Sequence, residues 1–374
     1  MKTRVAILNE AGLPRPYAQS RPLQIVEVDL DPPGPREVLV RMRAAGLCHS
    51  DLSVINGDRP RPLPMALGHE GAGEVVDVGA QISDLQVGDH VVAAFVPCCG
   101  TCEPCASGRP ALCEPGLRAN TAGTLLQGDR RLHQGAVTIN HHLGVSAFAE
   151  YAVMARESLV KVDATLPFDE AAIFGCAVMT GVGAVTNTVQ PPPGSSVAVV
   201  GLGGVGLSAL LGARLVDAAM IVAVDFSETK LALARELGAT HTVNAAATDA
   251  AEQIRELSGG GVHFAFEMAG AVKAMELSYR ITRRGGTTVT AGLPNPQHIF
   301  AVPHVGIVAE ERTIKGSYLG SCNPARDIPR YIQMYRQGRL PVDKLLSEHL
   351  PLEDINAAFD RLADAQAVRQ IVTL

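Results

Sequence analysis

The sequence predicts an α/β protein of two domains, a β-rich, barrel-like first domain and then a doubly wound parallel sheet. Three observations predict it. The chain has 374 residues, beyond the size at which one hydrophobic core usually stops growing. Short β-rich runs broken by Gly/Pro/Asp turns fill the part up to about residue 177, and a strand–helix–strand rhythm comes later. Between them stands Pro191-Pro192-Pro193-Gly194, through which no helix can continue.

In the first part, Glu37–Ala44, Gly73–Val78 and His90–Phe95 read as strands, and Gly71-Ala72-Gly73, with no helix after it, reads as a turn. In the second part, Ser196–Val200 is a buried-type strand, Val205–Val216 an apolar helix and Met220–Val224 a second strand. Helix Lys230–Leu237 and strands His241–Val243, Phe264–Glu267 and Thr287–Ala291 continue the alternation expected of a sheet covered on both faces. The tail returns to Pro-broken helices and a final apolar run, Gln370–Leu374, expected to pack on the first domain. The expected division is therefore 1–177, 178–320, and 321–374 returning to the first domain.

Composition narrows the function classes. At 47% hydrophobic and 19% charged, the chain is an ordinary globular protein. A net charge of −6 without any block of like charges argues against nucleic acid and anionic membrane as partners. Met1–Leu13 lacks an apolar run of signal-peptide length and no stretch of 18 apolar residues occurs, so a cytoplasmic location is expected.

Gly201-Leu202-Gly203-Gly204-Val205-Gly206 follows the strand Ser196–Val200 and opens the next helix. The glycines permit a tight turn, close approach of backbone to a pyrophosphate, and close helix–strand packing. The helix N-terminus adds free N–H groups and a positive dipole end. Asp225 ends the next strand, 19 residues beyond Gly206, where a carboxylate accepts hydrogen bonds from a ribose and repels a 2′-phosphate. A G-x-G-x-x-G alone is a weak signal, equally a Gly-rich turn of another α/β protein. Strand, helix and acid together point to NAD, and to NAD over NADP.

Eight cysteines carry the second signal, and four of them, Cys99, Cys102, Cys105 and Cys113, lie within 15 residues. Tetrahedral zinc needs sulfurs about 3.8 Å apart, which tight C-x2-C turns provide, and four thiolates leave no position open for substrate. The alternative for this cluster is a pair of disulfides, which a reducing compartment disfavours. Cys98 and Cys322 read as ordinary thiols. Cys48, His69 and Cys176 form a second candidate set, although each alone reads equally as a core residue. Their settings are Gly46-Leu47-Cys48-His49-Ser50-Asp51, Gly68-His69-Glu70-x-x-Gly73 and Gly175-Cys176-x-x-x-Thr180-Gly181. Two thiolates and one imidazole leave a fourth position open, as catalytic zinc requires. Alcohol dehydrogenase is itself the standard example of that ligand set, so the set is a match to a known pattern.

On these motifs the chain resembles the zinc-dependent medium-chain alcohol dehydrogenases, over nearly its whole length, from Val5 to Arg369-x-Ile371. The resemblance implies a GroES-like catalytic domain and a Rossmann coenzyme domain. It implies two zinc ions per subunit, a catalytic one on Cys48, His69 and Cys176 and a structural one on Cys99, Cys102, Cys105 and Cys113. Ser50 then carries the proton away from the alcohol, Asp51 backs His69, and Glu70 sits behind the metal. His49, Thr180, Lys230 and Arg369 fall where the family contacts the nicotinamide coenzyme. Phe95, His142, Leu293 and Tyr318 align with substrate-pocket positions suited to medium-chain or aromatic primary alcohols and their aldehydes.

The long segment between Cys113 and Tyr151, with His141-His142-Leu143-Gly144, resembles the dimeric branch that holds aryl-alcohol and glutathione-dependent formaldehyde enzymes, so a homodimer is expected. Glutathione-dependent relatives carry an acid where Arg59 stands and an arginine where Leu117 stands, with Arg118 one residue away. That pattern argues against a thiol adduct as substrate. A polyol dehydrogenase and a catalytically silent relative are the other readings, the last opposed by the intact Cys48, His69, Cys176 and Ser50. Many relatives place a relay histidine where Ser53 stands, so protons are expected to leave through water or a coenzyme hydroxyl.

Overall fold

A computed structural model describes residues 1–374 and divides them into two compact units. The first comprises Met1–Cys176, Asn323–Ile332 and Leu346–Leu374, and the second Ala177–Cys322 and Gln333–Leu345. The tail is thus not one returning segment. Gln333–Leu345 groups with the second unit, where the turn Val342–Leu345 packs on the helix that follows the glycine loop.

In the first unit five strands, Lys2–Leu8, Leu23–Leu30, Leu132–Gln134, Val137–His141 and Met65–Ala66, close a barrel. Its core is Val5, Ile7, Val28, Leu30, Ile139 and their neighbours. Beside it lies a larger sheet containing β1 (Glu37–Gly46), β2 (Gly71–Val78) and β3 (His90–Ala93). The C-terminal strand Gln370–Thr373 pairs antiparallel with β1, Ile371 opposite Gly46, which places Arg369 beside the Gly46–Cys48 segment. Gly71-Ala72-Gly73 is not a turn but the start of β2. A Cβ on Gly71 would sit 2.6 Å from the Met42 side chain, and one on Gly73 would strike the Arg41 carbonyl, so these glycines answer to strand packing. Short helix α1 (His49–Ile55) leaves the end of β1.

The second unit is a six-stranded parallel sheet. Before it runs helix α2 (Ala177–Gly183). Its strands are β4 (Ser196–Val200), β5 (Met220–Asp225), β6 (His241–Asn244), β7 (Val262–Glu267), β8 (Thr282–Thr290) and β9 (Thr313–Gly316), in spatial order β6-β5-β4-β7-β8-β9. This is the doubly wound dinucleotide-binding order. Strand β4 is apolar along its length because both faces are covered, and Ala198, Val200, Val222, Val224 and Ala265 share one core. Helix α3 (Gly204–Leu215) buries nine of its residues. Helix α4 (Glu228–Glu236) starts at Ser227, whose hydroxyl accepts the Lys230 N–H and so caps the helix. Strand β8 begins five residues before the expected Thr287, across a bulge opposite Val262–Phe264. No single helix is long and apolar enough to cross a membrane.

Candidate zinc and coenzyme sites

Three elements of the first unit deliver the open site. Cys48 caps α1 after β1, His69 precedes β2, and Cys176 follows the short turn Ile173–Gly175. All three are buried, and with a Glu70 oxygen their ligand atoms lie within 4.8 Å of one another. Cys176 Sγ is 3.4 Å from His69 Nε2. The Cys176 hydrogen bond holds the Cys48 thiol well below its ordinary value against the effect of burial, and the His69 and Arg369 charges act the same way. A buried cluster of two thiols and an imidazole, one thiol already favouring thiolate, fits a zinc ion with a position to spare.

Behind it stands Asp51, wholly buried. Its Oδ2 lies 3.0 Å from His69 Nδ1 and its Oδ1 lies 2.9 Å from His142 Nδ1. Each is a close, fully buried contact between an imidazole nitrogen and the carboxylate. The Gly68 N–H donates to Oδ1 at 3.1 Å. Burial pushes the Asp51 carboxyl up, but the His69 charge and the two imidazole contacts outweigh it and hold it below the usual carboxylate range. Burial likewise opposes charge on His69, and Asp51 and Cys48 together raise it to about 10. Gly68 has φ +94°, and a Cβ there would press on Phe148 N at 2.5 Å, so glycine is needed to bring the peptide N–H to Asp51.

Glu70 is braced rather than free. The Arg369 guanidinium pairs with both its oxygens, the Nε contact at 3.2 Å, and donates to the Leu47 carbonyl at 3.0 Å. Gly46 makes room, since a Cβ would lie 2.7 Å from Glu70 Oε1. Arg369, aligned with coenzyme contacts, is therefore buried and committed to Glu70 and the Cys48 loop. His142, aligned with the pocket wall, is fully buried on Asp51. Phe95 stands edge-on to His69, ring centroids 5.4 Å apart. Ser50 is half-buried and His49 exposed at the start of α1. The Ser53 hydroxyl donates to the His49 carbonyl at 2.8 Å.

Cys99, Cys102, Cys105 and Cys113 converge on a lobe of the same unit, with Cys99–Cys105 and Cys102–Cys113 sulfurs each 4.0 Å apart. Backbone N–H groups of Cys102 and Gly116 point at Cys99 and Cys113 sulfurs at 3.3 and 3.4 Å, the pattern that stabilises thiolates. Four sulfurs near tetrahedral spacing fit a closed zinc site. Cys98, outside the cluster, is pushed up to about 12, chiefly by burial.

In the second unit Gly201 adopts φ +92°, and a Cβ on Gly206 would strike the Gly201 carbonyl, so the loop closes tightly under α3. At Gly203 a Cβ would meet nothing, which leaves open space before the free N–H groups of Gly204 and Val205. Asp225 accepts from Leu202 N at 2.7 Å and Ser227 N at 2.9 Å, and keeps lone pairs for further donors. A cavity of about 1340 Å³ opens there, lined by Gly201, Asp225, Phe226 and Val272 among others. Thr180 is buried on α2, packed on α3 so closely that a Cβ on Gly181 would clash with the Val205 carbonyl. Lys230 is buried on α4; Leu293 is exposed after β8, and Tyr318 half-buried after β9. Sequence reasoning missed Glu267, which fastens the turn beside the loop through Ala269 N, Gly270 N and the Thr290 hydroxyl. A lone strand-end glutamate carried no signal for that.

The two sites and the two folds together define a zinc-binding dehydrogenase of GroES-like and Rossmann construction. Residues 34–164 match the alcohol dehydrogenase GroES-like domain, and residues 204–337 match the zinc-binding dehydrogenase family. Across its full length the chain is 37% identical to an NDMA-dependent alcohol dehydrogenase of Amycolatopsis methanolica, covering 99% of that protein. It is 35% identical to S-(hydroxymethyl)glutathione dehydrogenase of Synechocystis, covering 100% of each. Benzyl alcohol dehydrogenase of Acinetobacter calcoaceticus has the same fold, with a TM-score of 0.92 at 32% identity over 100% of this chain and 99% of that one. The chain belongs to the zinc-dependent medium-chain alcohol dehydrogenase family.

Proposed function

We propose that the protein is a cytoplasmic, homodimeric, NAD-dependent alcohol dehydrogenase that binds two zinc ions per subunit and interconverts a primary medium-chain or aromatic alcohol and its aldehyde. The observation that carries this reading is the buried Cys48–His69–Cys176 cluster, two thiols and one imidazole backed by Asp51. When bound, zinc lowers the pKa of the alcohol hydroxyl and NAD takes up the hydride. The protein's own residues do the rest. With zinc bound, Asp51 would keep the Nδ1 proton of His69 and leave the Nε2 lone pair to hold the ion. Ser50 receives the hydroxyl proton and passes it towards solvent, with Ser53 turned to the His49 carbonyl and no base in its place. Arg369 holds Glu70 and the Cys48 loop in place. Phe95 adds an apolar, water-excluding wall beside His69.

Asp225 at the end of β5 supports NAD, because a 2′-phosphate would meet its carboxylate. A thiol adduct is disfavoured: Leu117 is an exposed apolar residue where glutathione-dependent relatives carry an arginine, and Arg59 reverses the charge of their acid. The dimer reading rests on β9, an edge strand with all four residues exposed, and on the nearby helix α5 (His304–Ala309), which buries none of its residues and exposes Val305 and Val308. The deciding experiment is a panel of alcohols and aldehydes with NAD and NADP, with and without glutathione. Turnover of simple primary alcohols with NAD alone is expected, and strict dependence on glutathione would overturn the substrate class.

A further inference from the structure

Asp51 contacts two imidazoles, and only one of them belongs to the zinc cluster. His142 follows the strand Val137–His141 and is fully buried, its backbone N–H given to the Ala66 carbonyl at 3.1 Å. Its Nδ1 lies 2.9 Å from Asp51 Oδ1, and its ring stands at 87° to that of His69, centroids 5.5 Å apart. Oδ1 thus accepts from Gly68 N–H and lies against His142 Nδ1, while Oδ2 faces only His69. A carboxylate pinned at one oxygen cannot swing about its Cβ–Cγ bond, so the other oxygen stays aimed at the zinc-binding imidazole. Burying a polar ring costs free energy unless it finds a partner, which makes His142 an expensive filler if volume alone were needed.

We propose that His142 is a positioning residue for the catalytic metal, acting through Asp51: it locks the carboxylate so that His69 presents Nε2 in the ligand direction. The inference rests on the assignment of zinc to Cys48, His69 and Cys176. Outer partners of metal-binding histidines typically govern metal affinity by 10–100-fold, and one step further out about tenfold is expected.

The test uses the zinc-loaded enzyme and its cobalt-exchanged form, with the four-cysteine site as internal control. His142→Phe keeps a ring and removes the donor. It should lose catalytic-site zinc to a chelator at about tenfold lower chelator concentration and shift the visible cobalt spectrum, while the four-cysteine zinc is retained as in the wild type. His142→Asn, which can place an N–H where Nδ1 was, should restore both readings. If the phenylalanine variant does not fold, His142→Asn against His142→Gln decides, the first holding zinc like the wild type and the second not. Wild-type zinc affinity and cobalt spectrum in His142→Phe would overturn the role of His142. A wild-type enzyme with no zinc at this site would instead overturn the underlying metal assignment.

Discussion

His69 Nδ1 lies 3.0 Å from Asp51 Oδ2, with both side chains withdrawn from solvent. A buried carboxylate in that position fixes the imidazole tautomer and raises its donor strength. Asp51→Asn should therefore weaken zinc at the Cys48–His69–Cys176 site by roughly 10–100-fold and leave the four-cysteine site unchanged. Chelator competition with zinc counted at both sites checks this, and equal retention in the variant would remove Asp51 from the metal site.

Asp225 closes β5 above the glycine loop, its carboxylate already orienting Leu202 N and Ser227 N. Asp225→Gly should cut the preference for NAD over NADP by about tenfold or more, read as the ratio of kcat/KM for the two coenzymes. Equal use of both by the unmutated enzyme would contradict the coenzyme assignment.

Asp360 ties the C-terminal helix to the N-terminal segment, accepting from Tyr17 N and Ala18 N at 2.9 Å each and pairing with Arg15. Burial pushes its carboxyl up, but the two N–H groups and Arg15 win and lower it below the ordinary 3.8. A depressed folded value means stability that is complete above 3.8 and lost as pH falls through the folded value. Asp360→Asn should therefore cost about 2 kcal/mol near neutral pH and progressively less below that point. Denaturant midpoints of both proteins across pH measure it, and a constant gap down to strong acid would contradict the linkage.

Val305 and Val308 are exposed on a helix with no buried residue, next to the free edge of β9. Sedimentation should show a dimer, and Val305→Asp combined with Val308→Asp should give a folded monomer. A tetramer, or a dimer untouched by the double variant, would remove this face from the assembly.

The features legible in the sequence are those written locally. The C-x2-C-x2-C cluster and the strand–glycine–helix run both place their chemistry within one turn or one β–α unit, so spacing alone implies geometry. The partners of Asp51, Glu70 and Arg369 are not legible in the same way. Arg369 reaches Glu70 because Gln370–Thr373 pairs with β1, a register fixed across more than 300 residues of chain. His142, which aligns with a pocket wall, meets Asp51 through packing between α1 and the turn after Val137–His141. Gly71 and Gly73 read as a turn because glycine signals both backbone freedom and lack of space, and only the neighbouring Met42 and Arg41 tell the two apart.

The most direct measurement is zinc content and alcohol turnover in Cys176→Ala beside Cys105→Ala. Assignment of Cys176 to the catalytic ion predicts a folded, NAD-binding Cys176→Ala protein with one zinc fewer per subunit and no turnover. Assignment of Cys105 to the closed site predicts instead a lower thermal midpoint in Cys105→Ala, because metal binding there contributes to folding. Full turnover in Cys176→Ala with its zinc content unchanged would contradict the central claim.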